Sequence, residues 1–214
     1  MIVLAATLSG CAGRSSAEAY HRTQPSELYL YTPPNYEPGT ATQLLLALHG
    51  EGQDAFDCFD SWRTYADENG LVLLCPELPY SDGQLDRIAA QTLIGQALQT
   101  AYGEASLRGT FFVVGFGEGG TLGLQYTSHF PQAITGVVAI ASEEFPALTG
   151  SAPMPVLILT PSGNRTATEA ARAYVEQMAA QGVAIRLVEL DESGSRLTGD
   201  AGRVTSEFLA QTLR

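Results

Sequence analysis

The sequence predicts an α/β protein built on a mostly parallel central sheet, with helices covering both faces. Three observations carry that expectation. Runs such as Leu44-Leu45-Leu46-Ala47-Leu48 and Phe111-Phe112-Val113-Val114 are apolar at every position, as strands buried on both faces are. Stretches with helical spacing alternate with these runs along the chain. And Gly115-Phe116-Gly117-Glu118-Gly119-Gly120 crowds glycines into a junction between a strand and a helix, the composition of a tight turn.

In chain order, Glu27-Leu28-Tyr29-Leu30-Tyr31 alternates and reads as an outer strand. Thr32 to Gly39 is a turn-rich connection, because Pro33, Pro34 and Pro38 cannot donate to a sheet ladder. Gln43 to Leu48 is a central strand ending in the turn His49-Gly50-Glu51-Gly52. Ala55 to Glu68, with Trp62, forms an amphipathic helix closed by Asn69-Gly70. Leu71 to Leu74 is the next central strand, and Glu77 to Gly83 a loop. A helix follows from Asp86 to Tyr102; then come the Phe111–Val114 strand, its glycine turn, and a helix stopped by Pro131. Ala133 to Ala141 and Pro155 to Thr160 are strands. Thr166 to Gln181 is a helix ended by Gly182, Ala184 to Leu190 a strand, and Val204 to Leu213 a terminal helix.

With 214 residues and no interior linker, the chain reads as one domain from residue 27 to 214. Apolar residues make up 45% and charged residues 16%, the balance of a globular protein and not of a disordered one. A net charge of −12, with 11 basic residues and no basic cluster, argues against nucleic acid and anionic membrane surfaces as partners.

Ahead of the domain, Met1 to Leu8 is apolar but too short to span a bilayer. It runs into Leu8-Ser9-Gly10-Cys11, which resembles the lipobox of bacterial lipoproteins, although no basic residues precede the apolar run. The resemblance implies a signal remnant over 1–10, lipid on the Cys11 thiol and a polar tether over 11–26. The protein would then sit outside the cytoplasm on a lipid anchor, its one link to a membrane. The alternative is a coincidental apolar tail, with a periplasmic or secreted protein. Cys58 and Cys75 remain in the body, consistent with one disulfide or with two buried thiols. Neither has the neighbours of a zinc site, no spacing resembles a calcium loop, and no cofactor is expected.

The glycine-rich junction supports two chemical readings. Gly115, Gly117 and Gly120 satisfy Gly-x-Gly-x-x-Gly, and Glu143 follows at about the ~20-residue distance of a ribose-binding acid. Such a turn would hold a pyrophosphate on backbone N–H groups. But that fingerprint opens the first βαβ unit, and here two βα units precede it. The second reading is the strand–turn–helix of a nucleophile elbow, Gly-x-Ser-x-Gly, with Gly115 and Gly119 outside and Gly117 where the serine would stand.

Taken together, the segments resemble the α/β-hydrolases, in the esterase branch that includes polyhydroxybutyrate depolymerase-like and feruloyl-esterase-like proteins. The matching pieces are Tyr31 to Tyr36, Leu44 to Gly50, Trp62 with Asp67-Glu68-Asn69-Gly70, Leu71 to Pro76, the elbow with Thr121 to Phe130, and Pro155 to Leu159 with its helix. In that order they cover nearly everything from Glu27 to Leu209. The resemblance implies a triad: serine at the elbow, an acid after the penultimate strand, histidine after the last. Here those positions hold Gly117, Asn164 and Ser195. It also implies an oxyanion hole and pocket, now vestigial, around His49, Gly50, Glu51 and Glu118.

Serine at its free pKa is a poor nucleophile without an adjacent base, and the base needs an orienting acid. His21 falls in the expected tether, His129 at the end of the elbow helix, and His49 in the turn beside the oxyanion hole. None stands where a general base would. The expectation is therefore a catalytically inactive fold with a binding or accessory role toward a small molecule or protein. The alternative is a working esterase that uses Ser142, Ser162 or Ser195. The post-strand loops also carry Glu51, Asp54, Glu77, Asp82, Glu118, Glu143, Glu144, Asp191 and Glu192 against Arg165 and Arg196. They form either a solvated acidic surface or a face that attracts a cation or basic ligand.

Overall fold

The computed structural model describes residues 18–24, 26–148, 154–191 and 199–213. In chain order its elements are strands β1 (Glu18–Arg22), β2 (Leu28–Thr32) and β3 (Thr42–Leu48), helix α1 (Ala55–Asn69), β4 (Val72–Pro76), and the short pair β5 (Tyr80–Ser81) and β6 (Gln84–Leu85). There follow α2 (Arg87–Glu104), β7 (Leu107–Phe116), α3 (Glu118–His129), β8 (Ile134–Ile140), β9 (Val156–Pro161), α4 (Arg165–Ala180), β10 (Ile185–Leu190) and α5 (Gly199–Thr212).

Eight strands form one sheet in the order β1-β2-β4-β3-β7-β8-β9-β10. β2 runs antiparallel to β1 and β4, and the other pairings are parallel. Successive residues of a central strand feed opposite faces, as the two-residue period demands. Leu44, Leu46 and Leu48 of β3 join the core beneath α2, α3 and α4. Leu45 and Ala47 join the core beneath α1 and α5. Both faces are covered, which is why the runs carry no polar alternation.

Helix ends follow local chemistry. The Asp54 carboxylate accepts the Asp57 N–H at 2.8 Å, and α1 stops at Gly70, whose φ of 63° is left-handed. Asp86 caps α2 through the N–H groups of Ile88 and Ala89.

Two expectations are corrected. The tether over 11–26 is in part structured: Glu18–Arg22 is an edge strand of the main sheet, so the sheet begins before Glu27. His21 stacks on Tyr29 at 4.2 Å and bonds Glu27, and Arg22 reaches the Thr100 hydroxyl at 2.7 Å. An edge strand pairs through its backbone and needs no apolar run, so polar composition hid it. The loop over Glu77–Gly83 also contains a hairpin: Asp82 (φ 51°) and Gly83 (φ 77°) form the two-residue turn between β5 and β6, the Asp-Gly signature of a primed turn. Cys58 and Cys75 are buried free thiols on the α1 side of the sheet. Burial pushes the Cys75 thiol up, helped by its contact with Cys58. No helix among the described residues is long and apolar enough to cross a membrane.

Candidate functional site

The junction between β7 and α3 is the centre of the site. Gly117 takes φ 55° and ψ −123°, a backbone that a residue with a Cβ adopts only under strain. Its N–H donates to Ile140 at 2.8 Å, and its carbonyl accepts from Gly120, Thr121 and the Ser142 hydroxyl. The neighbouring glycines are required for space. A Cβ at Gly115 would overlap the Gly119 carbonyl, and one at Gly119 would overlap the carbonyls of Leu48 and His49. At position 117 the nearest atom to an added Cβ is the Gly50 Cα, 4.0 Å away. The turn thus has the room for a side chain, and none occupies it.

Above this turn, at the carboxyl ends of β3, β7 and β8, lies a pocket of about 370 Å3. Gly50, Phe116, Gly117 and Ala141 supply apolar and backbone lining, and Gly83 of the hairpin closes one side. Glu51, Glu118, Glu143 and Glu144 supply four carboxylates against the Arg87 guanidinium. Arg87 lies 2.6 Å from Glu144 and 3.8 Å from Glu118. The other Glu118 oxygen is buried with no hydrogen-bond partner among the described residues. The Thr121 hydroxyl donates to the Glu144 carbonyl at 2.9 Å, which ties the loop after β8 to the elbow helix. Tyr80 sits beside the pocket; burial pushes its hydroxyl up, and the charges of Glu118 and Glu51 add to this.

Of the residues expected at the site, Gly50, Glu51, Gly117 and Glu118 line the pocket together. His49 lies beneath, fully committed: Nε2 accepts the Leu78 N–H at 2.9 Å, so the proton is on Nδ1, which faces the Gly50 carbonyl at 3.1 Å. Glu77, 3.7 Å from Nε2, spends its carboxylate on the Ala55 N–H at 2.7 Å. Burial raises its pKa, and that hydrogen bond and His49 oppose the rise.

The remaining candidates do not converge. Asn164 is the N-cap of α4, its side-chain oxygen accepting the Ala167 N–H at 3.1 Å. Ser195 and Cys11 lie outside the described residues. Ser142 is buried and spends its hydroxyl on the Gly117 carbonyl, and Ser162 is exposed. His21 belongs to the edge strand, and His129 is exposed at the far end of α3, about 17 Å along the helix from the elbow.

The acidic loops separate into two groups. Asp54 and Glu77 serve the start of α1, and Asp82 turns the hairpin. Among the described residues, the acidic side chains that line the pocket are Glu51, Glu118, Glu143 and Glu144. Sequence reasoning missed Arg87, Thr121, Ala141 (φ 53°) and Gly83. The Asp82-Gly83 dipeptide was a usable hairpin signal; for Arg87, one cation next to a helix cap, there was none. No group of three metal-ligating side chains occurs among the described residues.

Neither a family sequence profile nor a curated protein matches the chain. Solved structures do. S-formylglutathione hydrolase from Staphylococcus aureus superposes with a TM-score of 0.68 at 11% identity, over 93% of this chain and 99% of that one. Esterase PE8 gives 0.67 at 19% identity, covering 87% and 98%. Dienelactone hydrolase from Anabaena variabilis gives 0.64 at 17% identity, covering 92% and 97%. Sheet order, elbow and structural neighbours agree: the chain has the α/β-hydrolase fold.

Proposed function

We propose that the protein is a non-hydrolytic member of this fold, a pseudo-esterase whose pocket binds a small molecule without turning it over. The observation that carries the reading is Gly117, an elbow residue with the strained backbone and open space of a nucleophile position and no nucleophile. The neighbours include esterases and other hydrolases, whose chemistry needs a hydroxyl or thiol activated by a base. Here His49 has both ring nitrogens occupied, and the Ser142 hydroxyl supports the turn itself. Once the nucleophile is gone, glycine relieves backbone strain that serine would impose.

The test is turnover of short acyl esters by purified protein, with labelling by a serine-directed fluorophosphonate. No turnover above an unfolded control and no labelling are expected. Turnover blocked by the fluorophosphonate would overturn the reading in favour of an active esterase.

The dinucleotide reading of Gly115, Gly117 and Gly120 is disfavoured by the pocket itself. A pyrophosphate at the start of α3 would face four carboxylates and one guanidinium already paired with Glu144.

We further propose export as a lipoprotein through Cys11, resting on Leu8-Ser9-Gly10-Cys11. Expressed from a start far enough upstream, the wild type should fractionate with membranes and Cys11→Ser should not. A wild type that is equally soluble would refute the anchor.

A further inference from the structure

We infer that Cys58 and Cys75 are a disulfide site: an oxidant of the disulfide class closes the two thiols into a staple between α1 and β4. The inference concerns the opposite side of the sheet from α2, α3 and α4, and it does not depend on what the pocket binds.

Three observations bring the thiols together. The first is the face each occupies. Ala55, Cys58, Phe59 and Trp62 are the buried face of α1, and Leu71, Leu73 and Cys75 enter the same core while Val72 and Leu74 enter the opposite one.

The second is their level. β4 runs parallel to β3, and α1 returns between them, so helix and strand run in opposite directions. The Ala55 N–H donates to the Glu77 carboxylate at 2.7 Å, which ties the start of α1 to the end of β4. Cys58 stands about 4.5 Å along the helix from Ala55, three residues at ~1.5 Å. Cys75 stands about 6.6 Å back along the strand from Glu77, two residues at ~3.3 Å. The two are level to within about 2 Å.

The third is a shared neighbour. Tyr29 of β2 pairs with Cys75 across the ladder, and its ring stacks on Phe59, the residue after Cys58, at 5.2 Å. The thiols are in contact, which with burial holds the Cys75 proton on. No group of three metal-ligating side chains occurs among the described residues, so the pair is not part of a metal site there.

The chemistry is thiol–disulfide exchange. Cys58, 4% exposed against 0% for Cys75, borders a cleft lined by Gln53, Ser61, Trp62 and Phe116 and is attacked first. Its thiolate takes one sulfur of the oxidant RSSR, the oxidant's S–S bond breaks, and the departing RS− takes up the proton that Cys58 released. The Cys75 thiolate then attacks the Cys58 sulfur and expels the second RS−, which takes the Cys75 proton. Two thiols are oxidised, and RSSR is reduced to two RSH. The cleft holds about 10 Å3, room for one water. Exchange therefore waits on local opening of α1, or proceeds while the chain folds.

The experiment uses the full chain with Cys11→Ser, which leaves Cys58 and Cys75 as its two cysteines. The folded protein is incubated with oxidised glutathione at pH ~8.5, near the ordinary thiol pKa. A second sample is refolded from urea in the same reagent. Mass spectrometry, thiol titration after unfolding, and peptide mapping without reductant are then read. The protein should lose the mass of two hydrogens and both titratable thiols, yield one linked peptide pair containing Cys58 and Cys75, and recover on treatment with dithiothreitol. Oxidation should be faster in the refolding sample. A loop of about 17 residues is closed, so the oxidised form should melt roughly 6–12 °C above the reduced one.

Two titratable thiols persisting in both samples would overturn the inference. So would glutathione retained on Cys58, which would put Cys75 out of reach, or linked dimers. A bond that forms but lowers the Tm would also overturn it, since the fold would then not hold the thiols in place for a staple. Should the refolding sample aggregate, the folded sample decides alone.

Discussion

Replacing Gly117 tests the elbow directly, because there the two costs of adding a side chain separate. Steric cost is absent: the nearest atom to a new Cβ is Gly50 Cα at 4.0 Å. Conformational cost remains, since φ 55° with ψ −123° is a region that residues with a Cβ occupy at about 1–3 kcal/mol. Gly117→Ala and Gly117→Ser should therefore each lose that much stability, roughly 2–12 °C in Tm for a domain of this size. Gly119→Ala is the contrast. Its Cβ would overlap backbone oxygens and stand 2.9 Å from the Leu48 carbonyl carbon, so strands and helix must move apart and the loss should exceed that at 117. Gly115→Ala, with the Gly120 nitrogen at 2.6 Å, should behave likewise. Urea unfolding followed by the fluorescence of Trp62, the single tryptophan, buried in α1, measures all four. A Gly117→Ser variant as stable as wild type, or a Gly119→Ala variant less damaged than Gly117→Ala, would show that this stretch is not a strained elbow against the strand ends.

Three further outcomes are expected. Gly117→Ser, Asn164→Asp and Ser195→His should each leave ester hydrolysis at background, because triad members act as a unit. The triple variant should recover weak turnover, held down by the Glu118 carboxylate beside the place where negative charge develops; turnover in any single variant would refute the unit argument. Asn164→Ala should cost about 1 kcal/mol through the lost α4 cap while Asn164→Asp keeps it, read by the same unfolding assay; equal losses would deny the capping role. Glu77 has a folded-state pKa raised by burial, so the folded state holds its proton more tightly than the unfolded state does. The stability this contributes is present below the ordinary glutamate value near ~4.3. It is lost as pH rises through the raised folded value. Unfolding free energies of wild type and Glu77→Gln should diverge across that window, the wild type falling relative to the variant; parallel curves would refute the raised value.

Sequence alone settled the layers of this protein. Leu44–Leu48 and Phe111–Val114 could be read as doubly buried strands because every position is apolar, and burial on two faces is what removes alternation. Caps are local chemistry, so Gly70 and the Asp86 boundary were legible within a turn. The tight turn at Gly117 was legible too, since the glycines stand between an apolar strand run and a helical one.

What tertiary structure decided is whatever depends on side chains distant along the chain. β1 was invisible because edge pairing is made by backbone, which composition does not encode. Acidic loop residues that looked alike in sequence were divided by folding: Asp54 and Glu77 went to the α1 terminus, and Glu51, Glu118, Glu143 and Glu144 to one pocket. Arg87 is the sharpest case. Its partner Glu144 lies 57 residues away, and only the sheet, which carries the carboxyl ends of its central parallel strands to one rim, brings the two within 2.6 Å.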